Sequence, residues 1–412
     1  MRSRGADAGV LGSGAGVRRS ARLPRDLESN LLTRVHDGLR ARGVPVVDLT
    51  VSNPTTIGIE YPASLLAPLS SPAGLRYEPQ PCGHPHARQA VADDCARRGA
   101  PVSPDQVVLA ASTSESYAWL FKLLCDPGDA VLVPSPSYPL FEHLTRLEGV
   151  EAAHYRLDYH RRWEIDMASV AAAPERTRAI VLVSPNNPTG SFVTPGEIDA
   201  LTTLCRQRGW AMIIDEVFAD YPLSASPAEP PLTDVAAHAG VLAFSLGGLS
   251  KSIGLPQLKL GWIIVGGPEA ERRAAVHGLE LIADTFLSVG TPVQLSAEAL
   301  LSGGAPVRSA IRTRVRDNLR LAAEVVACHP ACELLATEGG WSAVVRVPAM
   351  RTEESLVVDL LEREHVLVHP GFFFDFEREA FIVFSLLPPE VVLVDALDRA
   401  LRFASSMPEA RP

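Results

Sequence analysis

Ser245-Leu246-Gly247-Gly248-Leu249-Ser250-Lys251-Ser252 begins within the end of an apolar run over 241–246 and leads through Gly254-Leu255-Pro256 to Lys259-Leu260-Gly261-Trp262. The run has the length of a buried strand, and the glycines that follow mark a turn. A P-loop would need glycine directly before the lysine, where Ser250 stands. A Ser-x-x-Lys nucleophile would need serine where Gly248 stands. What remains is a lysine in a glycine-rich, mostly apolar setting. Burial penalises the ammonium, so such a lysine loses its proton readily and can serve as nucleophile or base. The alternative is a structural lysine whose ammonium reaches out to solvent. Lysine is scarce here: of 38 basic residues only Lys122, Lys251 and Lys259 are lysines.

Outward from this stretch, short apolar runs alternate with helix-length amphipathic segments. Strands are predicted at 107–110, 130–133, 178–183, 210–214, 241–246 and 260–265, and helices at 115–125, 195–208 and up to 147. This alternation specifies βαβ units and a mostly parallel sheet covered on both faces. After about residue 292 the pattern changes to a long helix at 307–328, strands at 341–347 and 381–386, a helix at 353–363 and a last helix to about 405. The expected organisation is a tail at 1–25, an arm at 26–60, a large domain at 61–295 and a small α+β domain at 296–412. The 412 residues carry a net charge of −10 with no basic stripe, which argues against nucleic acid as a partner. No apolar run approaches membrane-span length. The six cysteines form no CxxC pair and read as reduced thiols of a cytoplasmic protein. The first 25 residues hold six arginines and one acid without an apolar stretch, which reads as a disordered tail, with a transit peptide as the alternative.

Ligands of open α/β sheets gather at the carboxyl ends of the strands, and four loops there carry polar groups. Ala111-Ser112-Thr113-Ser114-Glu115-Ser116 opens a predicted helix; its hydroxyls can be simple caps or part of a phosphate site. Ser184-Pro185-Asn186-Asn187-Pro188-Thr189-Gly190 can be a bare turn. Asp215-Glu216 closes a strand, either capping a helix or presenting an acid to a ligand. The fourth loop holds Lys251. His84-Pro85-His86 and the pair Cys328 and Cys332 lack the further partners that a metal site needs, so no metal is expected.

In this order the segments resemble fold-type I pyridoxal-phosphate enzymes of the class I/II aminotransferase family. The likeness runs from about 45 to 404 and includes Tyr77 with Gly83 and Arg88, Asp126-Pro127-Gly128-Asp129, Pro136-Ser137-Tyr138-Pro139, Asn187-Pro188-Thr189-Gly190, Asp215-Glu216-Val217, Leu249-Ser250-Lys251 and Lys259-Leu260-Gly261-Trp262. The resemblance implies a mostly parallel seven-stranded sheet and pyridoxal 5'-phosphate as cofactor. It makes Lys251 the lysine that joins the cofactor through a Schiff base and then shuttles a proton. Asp215 would pair with the pyridine nitrogen, Asn187 donate to the phenolic oxygen, and Tyr138 stack on the ring. Ser112, Thr113 and Ser114 would hold the phosphate with Lys259, and Ser250 belongs to the same cofactor-binding set. Tyr77 would reach the phosphate of a neighbouring subunit, which implies a homodimer.

Three departures bear on function. Phe218 stands where the family usually has a tyrosine that bonds the phenolic oxygen, and Gly248 where it has a phosphate-binding serine. Val383, in Phe381-Ile382-Val383-Phe384-Ser385, stands where the family has the arginine that grips the substrate carboxylate. Arg346, Arg378 and His369 are candidate replacements. The expected activity is amino transfer between an amino acid, or related amine, and a keto acid. A lyase or oxidase using the same lysine-bound cofactor is the alternative. A cofactor-binding regulator is disfavoured, because only about 45 residues precede the similarity.

Overall fold

The computed structural model describes residues 20–24, 26–223 and 240–406. The tail expected over 1–25 therefore lies outside the described residues except for 20–24. One large sheet is built from β1 (Val107–Ala110), β2 (Ala130–Ser135), β3 (Glu151–Tyr159), β4 (Trp163–Ile165), β5 (Thr177–Val183), β6 (Ala211–Asp215), β7 (Ala243–Gly248) and β8 (Gly261–Gly266). Their spatial order is β1-β8-β7-β6-β5-β2-β3-β4. The pairs β3/β2, β2/β5, β5/β6 and β6/β7 are parallel, whereas β8 runs against both its neighbours. Seven strands thus form the expected mostly parallel sheet, and β4 adds an eighth by folding back antiparallel on β3. That strand is three residues long at an edge, too short to leave a periodic signal in the sequence.

Strands β2, β5 and β6 carry apolar side chains to both faces, as a sheet sandwiched between helices requires. Ile180 and Leu182 pack with Ile198, Leu201 and Cys205 of the helix Pro195–Arg208. Ala179, Val181 and Val183 turn the other way, toward Leu120 and Leu279 of the helices Thr113–Leu124 and Glu269–Phe286. The helix Pro195–Arg208 is fixed at both ends by its sequence. Thr194 and Glu197 form a capping box, Pro195 occupies the first turn, and Gly209 closes the helix with φ of 69°.

The remaining strands β9 (Glu333–Leu334), β10 (Ser342–Arg346), β11 (His369–Pro370) and β12 (Phe381–Ser385) make an antiparallel sheet ordered β9-β10-β12-β11. The helices Ala305–Ala327 and Glu390–Ser405 pack on one another beside it. Val47–Asp48 pairs in parallel with Val366–Leu367, which ties the amino-terminal arm to this half. The two sheets meet where Gly190 abuts the turn at 337–339. A Cβ on Gly190 would lie 2.5 Å from Thr337 Cγ2 and 2.7 Å from the Gly339 carbonyl. No helix among the described residues is long and apolar enough to cross a membrane.

Candidate active site

Strands β5, β6 and β7 end side by side, with Val183 in register with Asp215 and Asp215 with Leu246. Each end carries one polar group into the same space. Asn187 lies on the turn after β5, Asp215 is the last residue of β6, and Lys251 sits in the single helical turn Leu249–Ser252 after β7. The amino terminus of the helix Thr113–Leu124 closes a fourth side. Ser112 caps it, accepting from the Glu115 backbone N–H at 3.2 Å, and the Glu115 carboxylate accepts from the Ala111 N–H at 2.6 Å. The first-turn N–H groups of Thr113 and Ser114 stay available to an anion. Gly261 lets β8 begin against this terminus, since a Cβ there would stand 3.0 Å from the Ser112 carbonyl carbon.

Together these elements enclose a cavity of about 260 Å³ lined by Ser112, Thr113, Ser114, Tyr138, Asn187, Asp215, Ser250 and Lys251. Those are eight of the ten residues singled out from sequence. Lys259 and Tyr77 are not in the lining. Lys259 is exposed at the turn before β8, in a left-handed conformation with φ of 53°. Tyr77 is 76% exposed, beside a separate recess with Trp119 and Leu287.

Asp215 and Lys251 are the only charged side chains in the lining among the described residues. Burial drives the Asp215 carboxyl up to about 6, although the Val217 N–H at 3.1 Å and the Tyr117 hydroxyl at 2.9 Å both stabilise its charge. Burial likewise drives Lys251 down to about 8, against the pull of the Asp215 charge. The Lys251 amine lies 4.8 Å from the Trp341 ring centre and 5.4 Å from that of Phe218, so its walls are π faces. Its main chain is held from behind. The Tyr221 hydroxyl donates to the Lys251 carbonyl at 2.6 Å, and Arg308 Nε donates to the Ser252 carbonyl at 2.9 Å.

The two asparagines of the 184–190 turn divide their roles. Asn186 is consumed by structure, accepting from Ser137 Oγ and donating to the Pro136 carbonyl and Thr189 Oγ1. The Asn187 side chain makes no hydrogen bond to the described protein and faces the cavity. Tyr138 stands across the lining, edge-on to Phe141.

Val383 is buried and also lines the cavity. Of its three candidate replacements, Arg346 pairs with Glu333 at 2.8 Å away from the lining, and Arg378 is exposed. His369 does line the cavity. No group of three or more His, Cys, Asp or Glu among the described residues could hold a metal. His84 instead caps a helix, its Nδ1 accepting from the His86 N–H at 3.3 Å. Sequence reasoning missed Tyr117, Tyr221 and Trp341. Only Tyr117 left a usable signal, one helical turn after Thr113 and so on the same face.

A family model described as aminotransferase class I and II matches residues 68–392. The glutamate-pyruvate aminotransferase AlaA of Haemophilus influenzae is 25% identical over 388 residues, covering 89% of this chain and 92% of the relative. An alanine aminotransferase of Mycobacterium tuberculosis is 27% identical over 379 residues, covering 89% and 87%. Among solved structures, an aminotransferase from Escherichia coli superposes with a TM-score of 0.85 at 25% identity, covering 95% of this chain and 99% of that one.

Proposed function

Since the chain belongs to the class I and II aminotransferases, and so transfers amino groups, we propose that it does so with pyridoxal 5'-phosphate held in the cavity at Lys251. The residues present fit that group. A buried carboxylate suits a protonated ring nitrogen, a free amide suits the phenolic oxygen, and a helix amino terminus with three hydroxyl residues suits the phosphate. The narrow cradle agrees, because a Cβ at Gly248 would stand 3.1 Å from the Leu260 carbonyl, and at Gly261 3.0 Å from Ser112. Asp215, Asn187, Tyr138, Ser112, Thr113, Ser114 and Ser250 would hold the cofactor, and Lys251 would bond to it. When bound, it supplies an aldehyde that condenses with amines and a ring that accepts electrons from the carbon bearing the amine.

The observation that carries this reading is the pairing of Lys251 with Asp215 at adjacent strand ends, both drawn toward neutrality by burial. With Lys251 at about 8, a useful fraction of its amine is unprotonated near neutral pH, as a nucleophile or base requires. With the cofactor held there, Lys251 Nζ would be the base that takes the proton from the amine-bearing carbon and gives it back. Trp341 and Phe218 keep water from its flank. Asp215 keeps its charge beside a cationic partner, and the Tyr117 hydroxyl fixes which way the carboxylate faces. Phe218 supplies no hydroxyl, so of that pair only Asn187 would donate to the phenolic oxygen of the bound cofactor.

We read the protein as a homodimer. Tyr77 and Leu75 are 76% and 90% exposed, and Phe286 is 52% exposed where it stacks on Trp119. That apolar face suits a second copy, with Tyr77 reaching the neighbouring site. The substrates named for the relatives bear carboxylates, and no guanidinium among the described residues lines this cavity to receive one, so they are not carried over.

The test is spectroscopic and chemical. Borohydride should fix the cofactor to Lys251, located by peptide mapping, and added amines should convert the cofactor to its aminated form with release of a carbonyl product. Ammonia release with the cofactor recovered unchanged would favour the lyase or oxidase alternative. Failure to fix any cofactor on Lys251 would defeat the reading.

A further inference from the structure

We propose that the preferred amine carries an uncharged hydrogen-bond acceptor, not a free carboxylate, on its amino-bearing carbon, and that His369 recognises that acceptor. This rests on the functional reading above. The first ground is the charge inventory. Of the described residues lining the cavity, only Lys251 and Asp215 are charged. Lys251 must be neutral to react, and it already faces Asp215. A second carboxylate would thus enter beside the buried Asp215 carboxylate, and the described residues of this chain's lining offer it no arginine and no lysine other than Lys251. Buried charges without a partner are strongly disfavoured.

The second ground is the register of the antiparallel sheet. His369 of β11 and Val383 of β12 are direct partners, so their side chains rise on the same face about 5 Å apart. Both line the cavity. Val383 is short, and the imidazole beside it brings a ring nitrogen to that part of the wall, next to the Ser342 and Ser385 hydroxyls. The ring is packed edge-on against Phe374 at 5.7 Å and tilted against Phe373 at 5.8 Å, which fixes its plane.

The third ground is what the ring leaves unpaired. Nδ1 is buried without a partner, and Nε2 makes no hydrogen bond to the described protein. Burial lowers the basicity of the ring, against the pull of Asp48, so it is neutral at pH 7. An unpaired lone pair at the enclosed Nδ1 is more tolerable than an unpaired N–H, which puts the proton on Nε2. The ring then offers a neutral donor suited to an amide or ester carbonyl or a hydroxyl oxygen.

The test uses holoenzyme and three donors of one carbon skeleton: L-alanine, L-alaninamide and L-alaninol. Conversion of the cofactor is followed by absorbance in single turnover. The amide and the alcohol should each react at least tenfold more efficiently than alanine. His369→Phe, which preserves the ring packing, should erase that preference while the cofactor content stays as in the unsubstituted protein. His369→Gln, which keeps a donor, should restore part of it, and Val383→Arg should shift preference toward alanine. Equal responses to the three donors, a preference for alanine, or a His369→Phe effect equal on all three would overturn the inference while leaving the cofactor reading intact. A protein in which borohydride fixes no cofactor on Lys251 would overturn both.

Discussion

Replacing Lys251 with methionine should make the cofactor-free protein more stable at neutral pH, although it removes the group on which the proposed chemistry depends. Lys251 is held at about 8 in the folded chain, against an ordinary value of 10.5. At about 1.4 kcal/mol for each tenfold change in proton affinity, that depression corresponds to roughly 3 kcal/mol. Below pH 8 the ammonium is present in both folded and unfolded chains, so the folded state carries the whole cost. Between 8 and 10.5 the folded chain has released the proton while the unfolded chain retains it, and the cost shrinks by about 1.4 kcal/mol per pH step. Above 10.5 it is gone. Methionine keeps most of the packing volume but forfeits the cation–π contacts with Trp341 and Phe218, worth about 0.5–1 kcal/mol. The net gain at pH 7 is therefore about 2–3 kcal/mol, or roughly 2–3.5 °C in Tm for a chain of this size. Thermal scans of the two cofactor-free proteins at pH 7 and 9.5, at equal concentration and scan rate, check it. The methionine protein should lead clearly at pH 7 and lose about 2 kcal/mol of that lead by pH 9.5. No lead at pH 7, or the same lead at both pH values, would refute the claim that burial depresses this lysine.

Asp215→Asn removes the one charge that raises Lys251, so the midpoint for reaction of the Lys251 amine should move below 8. The pH profile of borohydride-trapped modification by pyridoxal phosphate reads it, and an unmoved or higher midpoint counts against the pairing. Gly261→Ala puts a Cβ 3.0–3.2 Å from the Ser112 main chain and the Gly247 carbonyl, atoms that cannot swing aside. Cofactor affinity should fall at least tenfold in a binding titration, on the order of 1.4 kcal/mol, and unchanged affinity would exclude this edge as part of the cradle. Asn318→Leu leaves the Leu386 and Pro388 carbonyls without the amide that donates to them at 2.7 and 2.8 Å. Urea unfolding should show a loss of about 2–4 kcal/mol, whereas a neutral result would mean that water replaces the amide.

The strands of the large sheet were legible because burial on both faces writes them as unbroken apolar runs. The observed bounds of β1 and of the helix Pro195–Arg208 match the expectation to the residue. The helix expected from 115 begins at Thr113, because Ser112 supplies the cap and the hydroxyl residues after it are first-turn residues. Site residues on strand-end loops were legible for the same reason, since topology collects such loops at one edge. The contacts that set their chemistry were not. Tyr117 meets Asp215 across 98 positions, and Tyr221 meets the Lys251 carbonyl across 30, with no periodicity linking either pair. The pairing of His369 with Val383 depends on a register that the loop between β11 and β12 sets, and neither residue alone signals it.

Those long-range contacts explain how a costly pair of groups keeps one geometry. A buried amine and a buried carboxylate gain little net stability from each other, and each would relieve its cost by turning toward water. The segment after Asp215 prevents this from one side. It runs to Tyr221, whose hydroxyl holds the Lys251 and Ser252 carbonyls at 2.6 and 3.2 Å. Asp220 sits between them in sequence and accepts from Arg97 at 2.8 Å, while Arg308 lies 3.5 Å from Asp220 and donates to the Ser252 carbonyl. Asp94 joins the same cluster through Arg97 at 2.9 Å and Arg308 at 3.4 Å. Strand β6, the lysine-bearing turn and two helices are thus clamped together by charges that lie mostly out of solvent. Such a cluster contributes position more than stability, because removing one member strands the others in a poorly solvating interior. With the carboxylate fixed on β6 and the lysine main chain fixed by Tyr221, movement is left to the lysine side chain, and that is the one movement the proposed proton transfer needs.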